Sequence, residues 1–213
     1  MPGIPCRLAE HNLNIAKGYK PVKQTLQCFS EPKRQAMGEE LGKLLEVGFI
    51  REIKHPDWLA NLVMVPKKDK SWGLCVDFKD LNNARPKNPF PLPRIDQIID
   101  ATTGHDSLCF LDAYSKYHQI KMKESNLAAT AFITPYEPFC FNTMPFGLKN
   151  ACATYQHMIQ TCLRKQIGKT VEAYVDDAVI KTGHVESLKD NMCLTFDNLR
   201  TYDIKLNPEK CVF

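Results

Sequence analysis

An α+β fold is expected for this sequence of 213 residues, and three features of its pattern agree with that class. Two β-compatible stretches flank a polar turn between residues 59 and 78, which predicts a hairpin. Two more flank an acidic pair between residues 171 and 180. Long amphipathic segments begin near Asn150 and at residue 185, and both predict helices. The length suits one large domain or two small domains that pack together.

The composition narrows the class of protein only slightly. Hydrophobic residues make up 44% and charged residues 24%, and the net charge of +4 is compatible with a polyanionic partner without indicating one. Nine cysteines occur without C-x-x-C spacing, which argues against a zinc site and predicts reduced core thiols in an intracellular protein. No apolar run approaches the ~20 residues of a membrane span, so no membrane partner is expected and the location is predicted as cytoplasm or nucleus.

The first half of the chain begins with residues 1–20, which show little periodicity and predict an extended lead-in. Ser30 is placed to cap a helix that Gly48 would end. The apolar face of this helix consists of Met37, Leu41, Leu44 and Leu45.

A short strand at residues 49–53 and a hairpin with strands at 59–65 and 72–78 are predicted next. The turn of this hairpin is basic. Four prolines within residues 86–93 predict a stiff extended connector, and residues 94–101 predict a short helix.

The second half predicts a strand at residues 107–111 that ends at Asp112, and then a hairpin formed by residues 128–134 and 139–143. Asn150 is placed to cap a long helix that extends to Ile167. The predicted strands 171–175 and 178–180 are separated only by an acidic pair, and residues 185–200 predict the last helix.

Three acids follow apolar strands, where acids are uncommon unless they turn the chain, cap a helix or bind something. They are Asp112, Asp176 and Asp177. Transfer of a nucleotidyl group is helped by two Mg²⁺ ions about 3.5–4 Å apart, which carboxylates from separate strands can hold. The alternatives are a solvated turn for the Asp-Asp pair and a helix cap for Asp112. Spacing alone leaves these alternatives open.

Several longer motifs resemble reverse transcriptases, in the order that this family shows. Residues 174–177 (Tyr-Val-Asp-Asp) resemble the Tyr-x-Asp-Asp box, residues 110–120 the first palm motif and residues 144–151 the second. The segments 72–82, 90–96 and 206–211 are also typical of the family. Each motif is weak by itself, but six in order are specific. Residues 130–134 and 147–151 are most similar to plant gypsy-type LTR retrotransposons.

The resemblance implies a right-hand polymerase fold, an antiparallel palm sheet with helices on one face. Residues 20–95 would form the fingers and residues 96–213 the palm with interleaved finger elements, while thumb, RNase H and integrase lie outside this sequence. It implies an RNA-directed DNA polymerase that uses Mg²⁺, or Mn²⁺, to add dNTPs to a primer on an RNA or DNA template. Cytoplasmic virus-like particles or the nucleus are the implied locations. A second copy of the chain or other polyprotein segments are the implied protein partners.

The resemblance also assigns roles to individual residues. The metal ligands would be Asp112 and Asp176, with Asp177 and the Ala113 carbonyl in support. The residues implied to contact the incoming dNTP are Lys67, Lys68, Tyr117, Phe146 and Lys210, and those implied to contact nucleic acid are Tyr174, Gly147 and Lys149. The alternatives are core packing for Tyr117 and Phe146, and an ordinary solvated turn for the two fingers lysines.

Four positions depart from the family pattern and predict weak or absent activity. Gly73 replaces an arginine that grips the triphosphate, and losing such a charge-assisted contact costs ~1.5–3 kcal/mol. Lys116 and Glu137 stand where glycine is usual, and Cys152 stands where glycine or proline is usual. Two other functions therefore remain open: an inactive polymerase fold that binds primer-template, and a retrotransposon relic with no selected function.

Overall fold

The computed structural model describes residues 3–67, 71–174 and 177–213, and of Ile95 only the backbone. The α-helices are α1 Glu31–Glu46, α2 Lys79–Asn83, α3 Ile95–Thr102, α4 Ala151–Cys162 and α5 Leu188–Thr201. The strands are β1 Glu10–His11, β2 Ile50–Glu52, β3 Ala60–Pro66, β4 Trp72–Val76, β5 Ser107–Asp112, β6 Lys121–Met122, β7 Phe132–Ile133, β8 Pro138–Phe141, β9 Val171–Tyr174 and β10 Asp177–Thr182. Short 3₁₀ segments are Lys116–Gln119, Glu124–Thr130 and Val185–Ser187.

The chain divides into two compact units. Of the described residues, unit 1 contains those within 10–87 and 121–151, and unit 2 contains those within 3–9, 88–120 and 152–213. Unit 1 is built on a five-stranded sheet with the order β2-β8-β7-β3-β4, in which only the β3–β7 pair is parallel. Phe132 and Leu62 are fully buried in this sheet. The long helix α1 contributes Met37 and Leu41 to the core, because these residues lie one turn apart on its apolar face.

Unit 2 carries the three-stranded antiparallel sheet with the order β5-β10-β9. Side chains alternate between the two faces of a strand, so cross-strand partners share a face. Leu111 and Ala173 face helices α4 and α5, because these residues line one pocket together with Ile159 of α4 and Leu199 of α5. The helices therefore cover the face opposite to that of Asp112. This arrangement confirms the predicted α+β class.

Several predicted elements differ from the structure. Residues 128–130 belong to a 3₁₀ segment and not to a strand, and α4 ends at Cys162, so Ile167 lies outside the helix to which it was assigned. Leu45 is exposed, although the helical pattern placed it on the apolar face of α1. Helix α2 was not predicted, because five residues are too few to show a period.

All nine cysteines are free thiols, as predicted, but only three of them are buried. Burial raises the pKa of Cys109 and Cys140, and it raises the pKa of Cys162 to about 12. The exposed cysteines contradict the prediction that these residues serve the core. They are Cys6, Cys28, Cys75 and Cys193. Within the described part of the chain, every helix is too short or too polar to cross a membrane.

Candidate active site

Asp112 and Asp177 are direct neighbours across two strands of unit 2. Asp112 is the last residue of β5 and Asp177 the first of β10, and the antiparallel register pairs them with each other. The Cα atoms of such a pair lie about 4.5–5.5 Å apart, and the two side chains project from the same face. Apolar residues before Asp112 form the strand, and the chain leaves the sheet immediately after it. Two carboxylates from distant parts of the sequence are thus brought together at one end of two neighbouring strands.

Asp176, which was predicted to ligate both metal ions, lies outside the described residues. Its neighbour Tyr174 ends β9 and is the register partner of Asp177. The Tyr174 side chain is partly exposed and Asp177 is exposed. The hairpin formed by β9 and β10 therefore presents at least one carboxylate toward Asp112, which agrees with the predicted tight acidic hairpin.

Lys116 forms an ion pair with the Asp112 carboxylate. Its Nζ lies 3.4 Å from Asp112 Oδ2, and the exposed fractions of the two side chains are 18% and 16%. The loop between them reverses at Ser115, whose φ of 48° lies in the left-handed region. A residue other than glycine in this conformation is uncommon, so the loop depends on contacts elsewhere to hold it.

Gln119 supplies those contacts and is itself 1% exposed. Its side-chain amide donates to the carbonyl oxygens of Tyr114 at 2.6 Å and Lys205 at 2.9 Å, and accepts from the Lys205 N–H at 2.8 Å. The Asn207 N–H also donates to the Asp112 carbonyl at 2.8 Å. The segment after Asp112 is therefore fastened to residues 205–207. Ala113, the predicted supporting ligand, is 6% exposed within this segment.

Tyr117, the predicted contact for the sugar of the dNTP, is a packed side chain. It is 7% exposed, its ring lies edge-on to Tyr155 at 5.8 Å, and its hydroxyl is hydrogen-bonded to the Cys152 thiol at 3.1 Å. Cys152 thereby provides a hydrogen-bond partner that glycine or proline would lack. Lys210, predicted to approach pyrophosphate, is exposed in the last segment of the chain.

Phe146, Gly147 and Lys149 belong to unit 1. The Phe146 side chain is 50% exposed, and Gly147 has a φ of 85°, a conformation that favours glycine. Asn82 holds this segment, because its amide donates to the Gly147 carbonyl at 2.8 Å and accepts from the Lys149 N–H at 2.7 Å. The Lys149 ammonium donates to the carbonyl oxygens of Asn82 at 3.3 Å and Arg85 at 2.8 Å.

The fingers hairpin is formed by β3 and β4 of unit 1, as predicted. Lys67 is exposed beside the turn, with its Nζ 4.0 Å from Glu40 Oε2. An ideal Cβ at Gly73 would lie 3.2 Å from Lys67 Cε, so the lysine stem passes over the glycine. Lys68 lies outside the described residues. Lys67 thus places a positive charge beside Gly73, the position at which the family pattern has an arginine.

The donor chemistry at Asp112 and Asp177 suits a hard divalent cation, because Mg²⁺ prefers carboxylate oxygens. The ion pair with Lys116 shows that a positively charged group can lie beside the Asp112 carboxylate. Among the described residues, which do not include Asp176, no group of three or more metal-binding side chains occurs. The two carboxylates therefore fit a metal site to which a further ligand would be added.

Comparison with known proteins identifies the family. The family model described as reverse transcriptase (RNA-dependent DNA polymerase) matches residues 65–213, which include Asp112, Lys116 and Asp177. The chain belongs to the reverse transcriptase family. This is a family of RNA-directed DNA polymerases, which are nucleotidyltransferases, and membership implies the use of divalent metal ions.

Curated relatives of this reverse transcriptase domain are retrotransposon polyproteins. It is 34% identical over 185 residues to the retrovirus-related Pol polyprotein from transposon opus of Drosophila melanogaster, covering 84% of this chain and 18% of that protein. It is 32% identical over 185 residues to the transposon Tf2-3 polyprotein of Schizosaccharomyces pombe, covering 85% of this chain and 14% of that protein. The relatives place the domain with the gypsy-like Pol polyproteins of LTR retrotransposons. The chain spans less than a fifth of their length.

Solved structures show the same fold. A foamy viral protease-reverse transcriptase in complex with RNA/DNA hybrid matches with a TM-score of 0.85 and 18% identity, covering 94% of this chain and 27% of that one. A second foamy viral structure, in complex with double-stranded DNA, matches with a TM-score of 0.78 and 18% identity, covering 95% of this chain and 35% of that one. The fingers-and-palm class predicted from the sequence is confirmed.

Three supporting residues had no role in the sequence-based prediction. Gln119 and Asn82 lie inside the recognised motifs, and Arg85 follows one of them. A polar side chain inside an apolar stretch, such as Gln119 beside Ile120, is a signal for a buried hydrogen-bonding group. That signal was present in the sequence, but the partners of these side chains are distant along the chain and could not be predicted.

Proposed function

We propose that this reverse transcriptase domain transfers nucleotidyl groups from dNTPs to a primer 3′-OH on an RNA or DNA template. The observation that carries the proposal is the direct cross-strand pairing of Asp112 with Asp177. Membership of the family supports it. Two Mg²⁺ ions, or Mn²⁺, would supply charge stabilisation for the attacking and leaving oxygens. Asp112 and Asp177 would hold them together with Asp176, and the Ala113 carbonyl is proposed as a further ligand.

The remaining contacts are proposed from the motifs that carry them. Lys67, Lys68 and Lys210 would contact triphosphate oxygens by charge-assisted hydrogen bonds. The exposed Phe146 ring offers a surface for the nucleotide, and Tyr117 would limit space at the sugar. The positions proposed to contact template-primer are Tyr174, Gly147 and Lys149.

The biological setting is likewise proposed. The motifs favour a plant gypsy-type element. The curated relatives of the chain are polyproteins, and the chain matches one segment of each. The polymerase would act in cytoplasmic particles or in the nucleus. Its protein partners would be a second copy or other segments of such a polyprotein.

Primer extension with Asp112→Asn tests the catalytic proposal. The substitution keeps the shape of the side chain and removes the charge. Synthesis is expected to fall at least ~100-fold, because changing a residue that only supports a metal ligand already costs about 10- to 100-fold. Asp197→Asn is the matched control, because Asp197 is an exposed acid on α5 that pairs with Arg200. Equal rates for Asp112→Asn and the control, in a protein that synthesises DNA, would remove Asp112 from catalysis.

A second candidate function is binding of primer-template without synthesis. The ion pair between Lys116 and Asp112 favours it, because the lysine already neutralises a carboxylate that the reaction needs. Duplex affinity measured against salt concentration separates the two functions when combined with primer extension. A steep salt dependence without synthesis supports the binding function, and a slope near zero contradicts phosphate contacts.

A further inference from the structure

The Lys116 ammonium stands beside an oxygen of the carboxylate that is proposed to hold the metal ions, with Nζ 3.4 Å from Asp112 Oδ2. We propose that Lys116 is a built-in competitor that lowers the affinity of the site for divalent cations. This inference rests on the proposed function, because it assumes that Asp112 is a metal ligand. It adds a residue that sets the metal concentration at which the site fills.

The backbone holds Lys116 in the place from which it reaches Asp112. The Lys116 N–H donates to the Ala113 carbonyl at 3.4 Å, and the His118 N–H donates to the Ser115 carbonyl at 2.7 Å, which closes the turn. Gln119 then fastens the end of the turn to Lys205. The spacing of four residues within this tight turn directs the lysine side chain back over Asp112.

The pair differs from the surface ion pairs of the same chain in its burial. The exposed fractions are 18% for Lys116 and 16% for Asp112, compared with 68% for Lys43 and 22% for Glu40 in the pair on α1. Water and salt screen a pair less when both partners are largely covered. The interaction free energy of the Lys116–Asp112 pair is therefore expected to exceed that of an exposed ion pair, which is commonly about 0–1 kcal/mol.

A divalent ion and an ammonium compete for the same lone pairs of a carboxylate. While the lysine stays beside Asp112 Oδ2 it occupies part of the acceptor capacity of the carboxylate, and its charge repels an incoming cation. A glycine, which the family pattern has at this position, would present neither obstacle. We expect the lysine to weaken binding about tenfold, which corresponds to about 1.4 kcal/mol.

Binding of Mn²⁺ to the purified chain tests this without requiring DNA synthesis. Free Mn²⁺ is measured by electron paramagnetic resonance during titration of the wild type, Lys116→Met and Lys43→Met. Lys116→Met keeps an unbranched side chain of similar length and removes its charge, and the dissociation constant of the variant for Mn²⁺ is expected to fall about tenfold. Lys43→Met makes the same change in net charge at an exposed ion pair and is expected to match the wild type.

Two further variants make the outcome decisive. Asp112→Asn must abolish the Mn²⁺ site that Lys116→Met strengthens, and Lys116→Gln should behave as Lys116→Met does if the latter does not fold. Equal affinities for the wild type and both Lys116 variants, with a site that depends on Asp112, would overturn the competitor role and leave the proposed function intact. Absence of any Asp112-dependent binding would overturn both.

Discussion

Two side-chain amides, one in each unit, hold the loops that carry proposed functional residues. Gln119 of unit 2 joins Tyr114 to Lys205 and is 1% exposed. Asn82 of unit 1 joins Gly147 to Lys149 and is partly exposed. Both side chains use the donor and the acceptor of one amide, and both bind backbone groups that are distant along the chain from the amide itself, Lys205 for Gln119 and residues 147–149 for Asn82.

The difference in burial determines how much each amide contributes to the stability of the folded chain. When a buried amide is removed, its former partners cannot reach water and the full desolvation cost appears. Around a partly exposed amide, water can replace the lost hydrogen bonds at lower cost. The loop beside Asp112 should therefore be more sensitive to substitution than the loop that contains Gly147.

The largest effect is expected for Gln119→Leu. The substitution keeps the approximate volume but leaves the Tyr114 carbonyl and the Lys205 N–H without their partner, while the Lys205 carbonyl keeps its hydrogen bond from the Tyr114 N–H. Stability should therefore fall by about 3 kcal/mol. Chemical denaturation measures the change. Gln35→Leu, at an exposed position of α1, is the control and should change stability by less than about 0.5 kcal/mol. Similar values for the two variants would contradict the role assigned to burial.

A smaller effect is expected for Asn82→Ala. Two hydrogen bonds to the segment 147–149 are lost, and because water can reach them the cost should be about 1–2 kcal/mol. Asn83→Ala is a close control, since Asn83 is the exposed neighbour in the same short helix. If Asn82→Ala proved as costly as Gln119→Leu, the difference in burial would not explain the two contributions.

The smallest effect is expected for the pH dependence of stability, and it involves the hydrogen bonds of Arg85 in unit 1. Arg85 donates to the Leu13 carbonyl and to His11 Nε2, the latter at 3.0 Å. Burial, and then the charge of Arg85, lowers the pKa of His11 from its ordinary 6.5 to about 3. The unfolded chain therefore binds a proton below pH 6.5 that the folded chain does not bind, and stability falls as the pH falls toward 3.

Between pH 6.5 and 5.5 this difference should reduce stability by about 1 kcal/mol. His11→Gln can still accept from Arg85 and should flatten that part of the pH profile, whereas the exposed His184→Gln should leave it unchanged. Burial also lowers the pKa of His118 in unit 2 to about 4, so some dependence on pH should remain in His11→Gln. An unaltered profile in His11→Gln would show that His11 is not the source of the slope.

Local patterns allowed much of the candidate site to be predicted. An acid directly after an apolar strand and an acidic pair between two strands are short-range features, so Asp112 and the hairpin near Asp177 could be found without coordinates. The register could not be found in this way, because it depends on strands that meet from distant parts of the chain. The structure pairs Asp112 with Asp177, whereas the motif had assigned Asp177 only a supporting role. Whether Asp177 or Asp176 is the main ligand stays a prediction.

By itself the sequence determined the family, the α+β class, and the strand ends at which carboxylates occur, because motifs and side-chain periods are properties of neighbouring residues. Only the tertiary structure decided that Lys116 reaches Asp112 and that Gln119 fastens the loop to Lys205. Those contacts depend on the left-handed turn at Ser115 and on burial among residues distant in sequence. Side-chain directions of this kind follow from packing, and packing is specified by the whole chain.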